Sequence, residues 1–385
     1  MTLFFSLVFI LCATYWPLSV GWLVVPGLLF LFTQQRSWES LVFWSSFLCY
    51  GHLWWVALLA YRHMQAPLSG AIILYLLLTS WFALLSILFW RVNLPLLRRG
   101  GRIALLPLLC GYFLVVSYAT PFLSGIKGYP FLNPVLPLIA WLQPGEKILP
   151  HQWYSLNNQH YYYLPAPKRS SSRAGCAQQL MMGLNQIGPP PPGGNPIILS
   201  PESTFSYPLN EYSEELAWWR SVLPERMTWL FGAIWQNKEI KQQAALFLTK
   251  EPIINKHIKH NCIDFFESTN KTTKLPHMLN KLIGWKTEYL QAARTQGPQI
   301  NLNGRVVQVL LCSEGLYAPL HSQAIILANE TWFIRWVQTL FWAALLWRAW
   351  RVGCHAIIVT YKRILHFPSS LAHSRLLLPC CTHIT

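Results

Sequence analysis

Long apolar runs without charged residues occupy the first third of the chain and constrain its fold more than any other feature. Residues 3–33 contain no charged residue, and they outnumber the ~20 residues that one membrane-spanning helix needs. Pro17 and Gly21 interrupt this run, which predicts a helical hairpin, with one long tilted helix as the alternative. The first 120 residues are therefore predicted to form a bundle of about five transmembrane helices. The predicted spans are 2–15, 19–33, 39–60, 68–90 and 103–120.

The rest of the chain differs from this part in charge. Charged residues make up 11% of the whole, against about 25% in a typical soluble domain, which excludes a disordered chain and disfavours an ordinary cytosolic enzyme. The formal net charge is +16, and 1–144 contribute seven Lys/Arg and one acid. The basic residues of 145–385 are dispersed, so we expect attraction to anionic lipid headgroups rather than nucleic-acid binding.

Arginines in one short loop set the expected orientation in the membrane. Residues 91–102 hold four arginines, and loops rich in Lys/Arg stay in the cytoplasm. The next span then leaves on the other side, so 121–385 are predicted to lie outside the cytoplasm.

Short apolar runs that end at polar residues characterise the second half. They are rich in β-branched residues, which favours buried strands, and two helical stretches with a spacing near 3.6 lie among them, Glu211–Leu223 and Trp336–Val352. This alternation predicts an α/β sandwich over 176–366, after an interfacial segment and linker at 121–175 and before a tail at 367–385. The predicted strands are Pro196–Ser200, Thr228–Ile234, Cys262–Phe266, Arg305–Leu311, Ala324–Ala328 and Ala356–Thr360.

Two of these runs end beside reactive side chains. Glu202 follows the first run, and Cys312 directly follows the fourth, with Glu314 two residues on. A thiol is a weak nucleophile until a base takes its proton, which Glu202 could do. A nearby Lys could stabilise the oxyanion of a tetrahedral intermediate, and Lys271 and Lys274 are candidates.

The motifs Pro201-Glu202-Ser203 and Cys312-Ser313-Glu314 resemble those of the nitrilase (carbon-nitrogen hydrolase) superfamily. That resemblance implies an αββα sandwich and a Glu, Lys, Cys triad, here Glu202, Cys312 and Lys274, with Lys271 as the substitute. The stretch Asn329–Phe333 resembles the apolipoprotein N-acyltransferase branch, which adds Asn329 and Trp332 to Glu314 as supporting residues.

The resemblance also implies an activity and a place in the cell. Cys312 would take an acyl group from a phospholipid as a thioester and pass it to an amine, such as the N-terminus of a lipoprotein. Glu202 would act as general base and then acid, and Lys274 would stabilise the oxyanion. The protein would be a multi-pass component of the bacterial inner membrane with a periplasmic soluble domain. The alternative is a TraB-like envelope component of a conjugal-transfer system, with other or no catalytic activity.

Neither a metal nor a cofactor is expected. The stretch His257–Cys262 contains two His and one Cys, but no second pair with zinc spacing accompanies it. The nine cysteines form no CxxC pair, and their spacing does not indicate a disulfide framework.

Overall fold

A computed structural model describes most of the chain from residue 37 onward. The described ranges are 37–63, 66–118, 142–143, 146–156, 159–167, 172–193, 196–205, 207–210, 214–238, 240–251, 255–260, 300–302, 305–312, 314–318, 320, 323–328, 335–367 and 375–376. Their helices are α1 (Trp38–His63), α2 (Leu68–Val92), α3 (Leu94–Tyr118), α4 (Arg173–Asn185), α5 (Glu214–Val222), α6 (Glu314–Tyr317) and α7 (Arg335–Val352).

The strands of the described residues are short, and most belong to two large sheets. They are β1 (Leu142–Gln143), β2 (Glu146–Ile148), β3 (Trp153–Leu156), β4 (Gln159–Tyr163), β5 (Ile197–Leu199), β6 (Pro208–Leu209), β7 (Thr228–Asn237), β8 (Ile240–Leu248), β9 (Asn255–Ile258), β10 (Ile300–Leu302), β11 (Arg305–Leu311), β12 (Gln323–Leu327), β13 (His355–Val359), β14 (Ile364–Phe367) and β15 (Arg375–Leu376).

The predicted bundle of five spanning helices is not supported. Among the described helices, α2 alone is long and apolar enough to cross a membrane. Helix α1 lies where the span 39–60 is predicted. Helix α3 is broken at Gly101, where φ is 52°, and only a shorter apolar stretch follows, Ile103–Val116. The predicted spans 2–15 and 19–33 lie outside the described residues.

Side-chain hydrogen bonds connect the three long helices. The Trp90 indole N–H of α2 donates to Ser45 Oγ of α1 at 3.1 Å, and the hydroxyls of Ser86 and Tyr112 join α2 to α3 at 2.6 Å. All four side chains are buried. Each of these four polar groups therefore finds a partner in a neighbouring helix, as packing in an apolar environment requires.

The described residues from 142 onward contain two mixed sheets. Sheet I has the order β3-β4-β5-β7-β8-β9, with β6 also pairing with β7, and sheet II has the order β10-β11-β12-β13-β14-β2. Strands β4, β5 and β7 pair in parallel, as do β11, β12 and β13. Strand β9 also runs parallel to β5 and β7, because β8 is antiparallel to both β7 and β9.

The sheets face each other across an apolar core, with helices on the outer faces. Leu199 of sheet I and Leu311 of sheet II belong to the core between the sheets. Ile198, one residue from Leu199, points to the opposite face and packs with residues of α4 and α5, as the alternation of a strand requires. The outer face of sheet II packs on α7. The predicted αββα sandwich is therefore present.

The sandwich begins earlier in the chain than the predicted domain boundary. Within the predicted linker 121–175, strand β2 pairs with β14 of sheet II, and β3 and β4 form one side of sheet I. All five residues of β4 are buried. Because both faces of this strand are covered, it lacks the polar-apolar alternation that would have marked it as a strand.

Candidate functional site

Three chemically important residues follow the carboxyl ends of three strands. Glu202 comes three residues after β5, Lys259 directly after β9, and Cys312 directly after β11. Because β5 and β9 run in the same direction, Glu202 and Lys259 lie at the same edge of sheet I. A hydrogen bond of 2.7 Å from the Tyr361 hydroxyl to the Ser203 carbonyl joins this edge to the end of β13 in sheet II.

The loop that carries Glu202 is fixed to the neighbouring strands. The Gly232 N–H of β7 donates to the Pro201 carbonyl at 3.1 Å, and Gln243 Nε2 of β8 donates to the Glu202 carbonyl at 3.3 Å. A Cβ atom at residue 232 would lie 2.0 Å from the Glu202 carbonyl oxygen. Only glycine lets the loop approach the strand so closely, and this approach sets the position of the carboxylate.

The Glu202 carboxylate forms an ion pair with Lys259. Lys259 Nζ lies 3.2 Å from Glu202 Oε1, and Lys259 is fully buried while Glu202 is 5% exposed. A buried charge without an opposite charge is very costly, so each group stabilises the charged form of the other. The site therefore contains a buried carboxylate and a buried ammonium in contact.

The structure supports Lys259 as the lysine of the site, whereas the sequence suggests Lys274 or Lys271. Lys274 and Lys271 lie outside the described residues, as do Asn329 and Trp332. Lys259 belongs to the stretch His257–Cys262, whose spacing does not indicate a zinc site. In the sequence this lysine directly precedes a histidine at the end of a short strand. The strand is too polar to be recognised as a strand from the sequence alone.

Cys312 occupies a strained turn between β11 and α6. Its φ is 42°, in a region that residues other than glycine rarely adopt. The Cys312 N–H donates to the Leu327 carbonyl of β12 at 2.8 Å, and its carbonyl accepts from the Gly315 N–H at 3.0 Å. The surrounding structure holds this conformation, and strain of this kind is concentrated at functional sites. Cys312 is 7% exposed.

Glu314 connects the two sheets beside Cys312. Its carboxylate accepts from His257 Nε2 at 2.8 Å, from the His260 N–H at 2.6 Å and from the Leu311 N–H at 2.9 Å. Burial alone would raise the pKa of Glu314, but His257 and the two backbone N–H groups more than offset it and lower the pKa. Glu314 is therefore ionised at neutral pH.

The hydrogen bonds of Glu314 link a strand end of sheet I to a strand end of sheet II. One oxygen of Glu314 binds the backbone of His260, next to Lys259, and the other binds the backbone of Leu311, next to Cys312. The structure thus brings Glu202 and Lys259 into contact, and it connects the segment of Lys259 to the turn of Cys312 through one carboxylate. An acid-base group, a cation and a thiol at neighbouring strand ends are suited to acyl transfer through a covalent intermediate.

Comparisons with known proteins give neighbours in fold at low identity. No protein-family model matches the chain, and no curated protein matches it. A CN-hydrolase superfamily protein from Xanthomonas campestris, with an arsenic adduct in its active site, has 13% identity and a TM-score of 0.32 over 43% of this chain and 62% of that chain. A carbon-nitrogen hydrolase from Helicobacter pylori has 12% identity and a TM-score of 0.35 over 54% and 78%.

A member of branch 10 of the nitrilase superfamily from Saccharomyces cerevisiae has 10% identity and a TM-score of 0.28 over 43% of this chain and 61% of that chain. The chain thus spans less than two thirds of the length of two of these three neighbours. Since all three TM-scores are below 0.5, the description as an αββα sandwich depends on the sheets, their register and the layers of helices.

Proposed function

We propose that this chain is a membrane-bound acyltransferase with a nitrilase-like domain, in which Glu202, Lys259 and Cys312 are the catalytic residues. The observation that carries the proposal is the buried Glu202–Lys259 pair, 3.2 Å between charged atoms, at a strand end connected through Glu314 to the strained Cys312. The acyl donor is a phospholipid and the acceptor an amine, such as the N-terminus of a lipoprotein.

In the first half-reaction the thiol is acylated. Glu202 takes the proton of the Cys312 thiol, and the sulfur forms a bond to the ester carbonyl carbon of the phospholipid. The carbonyl electron pair moves onto oxygen, where the Lys259 ammonium stabilises the negative charge. When the tetrahedral intermediate collapses, the bond to the glycerol oxygen breaks. That oxygen takes the proton from Glu202, so lysophospholipid leaves and a thioester remains on Cys312.

In the second half-reaction the acyl group moves to nitrogen. The amine attacks the thioester carbonyl carbon, and Glu202 takes a proton from the nitrogen. The carbon–sulfur bond then breaks, and the departing sulfur recovers the proton from Glu202. The products are an amide and the free thiol, so Glu202 alternates between base and acid as microscopic reversibility requires.

A membrane location supports a lipid as the donor. Helix α2 is long and apolar enough to span a bilayer, and α1 and α3 pack against it through buried hydrogen bonds. A soluble domain tethered in this way stays near the headgroup layer, where phospholipid ester groups are found. We propose that this membrane is the bacterial inner membrane, that the attachment is multi-pass, and that the domain faces the periplasm.

Incubation of the purified full-length protein with phospholipid vesicles tests the proposed activity. We expect the peptide that contains Cys312 to gain the mass of one fatty acyl group, and hydroxylamine to remove it, because hydroxylamine cleaves thioesters. Release of one lysophospholipid for each adduct provides an independent measurement. If the folded protein never acquires the adduct, the acyltransferase proposal fails, and an envelope component of a conjugal-transfer system becomes the better hypothesis.

Reporter fusions test the proposed orientation. Because of the four arginines in 91–102, we expect a reporter fused after residue 96 to be cytoplasmic and one fused after residue 170 to be exported. Alkaline phosphatase, which is active only after export, and a fluorescent protein that folds only in the cytoplasm give opposite readouts at each position. Fluorescence from the second fusion would show that the orientation is reversed.

A further inference from the structure

We propose that His257 is a positioning residue, which acts through Glu314 to hold Lys259 and Cys312 in their reactive arrangement. This inference depends on the proposed role of Cys312 as nucleophile, but not on the identity of the acyl donor or acceptor. His257 takes no part in the bond-making steps described above.

The position of His257 on its strand directs its side chain toward the other sheet. His257 pairs with Ala245 of β8, and Ala245 belongs to the core between the sheets. Lys259 lies two residues further along, so the two side chains leave the chain on the same side. Lys259 reaches Glu202 within sheet I, and His257 reaches Glu314 just after β11 of sheet II.

The His257–Glu314 contact is fully enclosed. His257 is 3% exposed and Glu314 is 1% exposed, and the distance of 2.8 Å between Nε2 and Oε2 is that of a good hydrogen bond. Since Glu314 is an ionised acceptor, His257 Nε2 carries a hydrogen atom and donates the hydrogen bond. Removing one member of such a pair leaves an uncompensated buried group, which is far more disruptive than losing a surface contact.

The consequence for the site follows from the other two bonds of Glu314. They fix the backbone at Leu311 and His260, the neighbours of Cys312 and Lys259. The positive φ of Cys312 persists only while its surroundings hold it. Without the His257 donor, the Glu314 carboxylate turns away and the Cys312 turn relaxes. The segment of Lys259 is then no longer fixed relative to the Cys312 turn, so the Lys259 charge stabilises the thiolate less.

The reactivity of the Cys312 thiol provides a readout that does not need the acyl-transfer reaction. The charged and titratable groups linked to this part of the site include Glu202, Lys259, Glu314, His257 and His260. The experiment measures the alkylation rate of Cys312 by iodoacetamide in the full chain in detergent, from pH 5 to pH 10, by mass spectrometry of its peptide. We expect His257→Leu to raise the midpoint of the pH profile by about one unit. Below the midpoint, the alkylation rate should then be about tenfold lower than in the wild type, because less of the thiol is ionised.

A conservative variant separates positioning from simple packing. In His257→Gln the amide nitrogen occupies nearly the place of Nε2 and still donates to Glu314, so we expect a midpoint close to that of the wild type. His355→Leu is the matched control, because β13 begins at His355 and runs parallel to β12 and thus to β11, which places this residue at the far end of sheet II from Cys312. We expect it to leave the profile unchanged.

Either of two results overturns the inference. The first is a folded His257→Leu variant with the wild-type midpoint and rate. The second is a folded His257→Gln variant as slow as His257→Leu, or tenfold slower than wild type where the leucine variant does not fold. If the variants show these alkylation effects but the wild type never forms the acyl adduct, the acyltransferase proposal fails while the positioning role of His257 stands.

Discussion

Replacing Cys312 by alanine is expected to abolish the acyl adduct that phospholipid vesicles form on the wild-type protein. Among the described residues no other thiol lies at these strand ends, so the loss should be on the order of 10⁴-fold or more, as for other catalytic nucleophiles. Peptide mass spectrometry before and after hydroxylamine measures the adduct, and release of lysophospholipid measures the first half-reaction separately.

Two buried cysteines in the same domain provide matched controls. Burial raises the pKa of the Cys354 thiol to about 12, so it remains protonated at neutral pH and is a poor nucleophile. The Cys176 thiol donates to the Thr204 carbonyl at 3.8 Å and packs among apolar residues of α4. We expect Cys354→Ala and Cys176→Ala to acylate at the wild-type rate. An adduct that survives in Cys312→Ala would contradict the assignment of the nucleophile.

Replacing Lys259 by methionine is expected to reduce acylation by roughly 10²–10³-fold, the typical effect of removing one oxyanion donor. Methionine nearly preserves the volume and removes the charge. The change also leaves Glu202 buried without its cation, so we expect a loss of about 3–5 kcal/mol in the free energy of unfolding. Denaturant titration of the variant measures the stability, and initial rates at saturating lipid measure the catalytic effect.

The same experiment decides between the lysine found in the structure and those chosen from the sequence. We expect Lys274→Ala and Lys271→Ala to retain nearly full activity and stability, because Lys259 already occupies the position beside Glu202. A severe loss in Lys274→Ala together with full activity in Lys259→Met would reverse the assignment. Circular dichroism of each variant distinguishes a loss of function from a loss of fold.

The sequence predicted those parts of the fold that depend on local pattern. Strand β11 begins and ends where the apolar run Arg305–Leu311 does, and α7 differs from its predicted range by one residue. Both elements are long enough for their apolar periodicity to be recognised. Glu202 and Cys312 could be predicted because Cys312 directly follows an apolar run, Glu202 comes two residues after one, and each lies in a short motif that resembles a known family.

Lys259 could not be predicted in the same way. Strand β9 has four residues, three of them polar, and its place in sheet I depends on β8, which begins with Ile240-Lys241-Gln242-Gln243 rather than an apolar run. The contact between Lys259 and Glu202 joins residues 57 positions apart. Such a contact is set by the order of strands in the sheet, and no spacing of residues along the chain encodes it.

The division of the site between the two sheets has a consequence for the protein while it is being made. Glu202 and Lys259 follow strands of sheet I, whereas Cys312 follows a strand of sheet II. A newly made chain in which only one sheet has formed contains either a base without a nucleophile or a thiol without a base. In the proposed mechanism the activated thiolate, the form most susceptible to oxidation and to stray electrophiles, therefore arises only when the sandwich closes, and the thiol stays protonated until then.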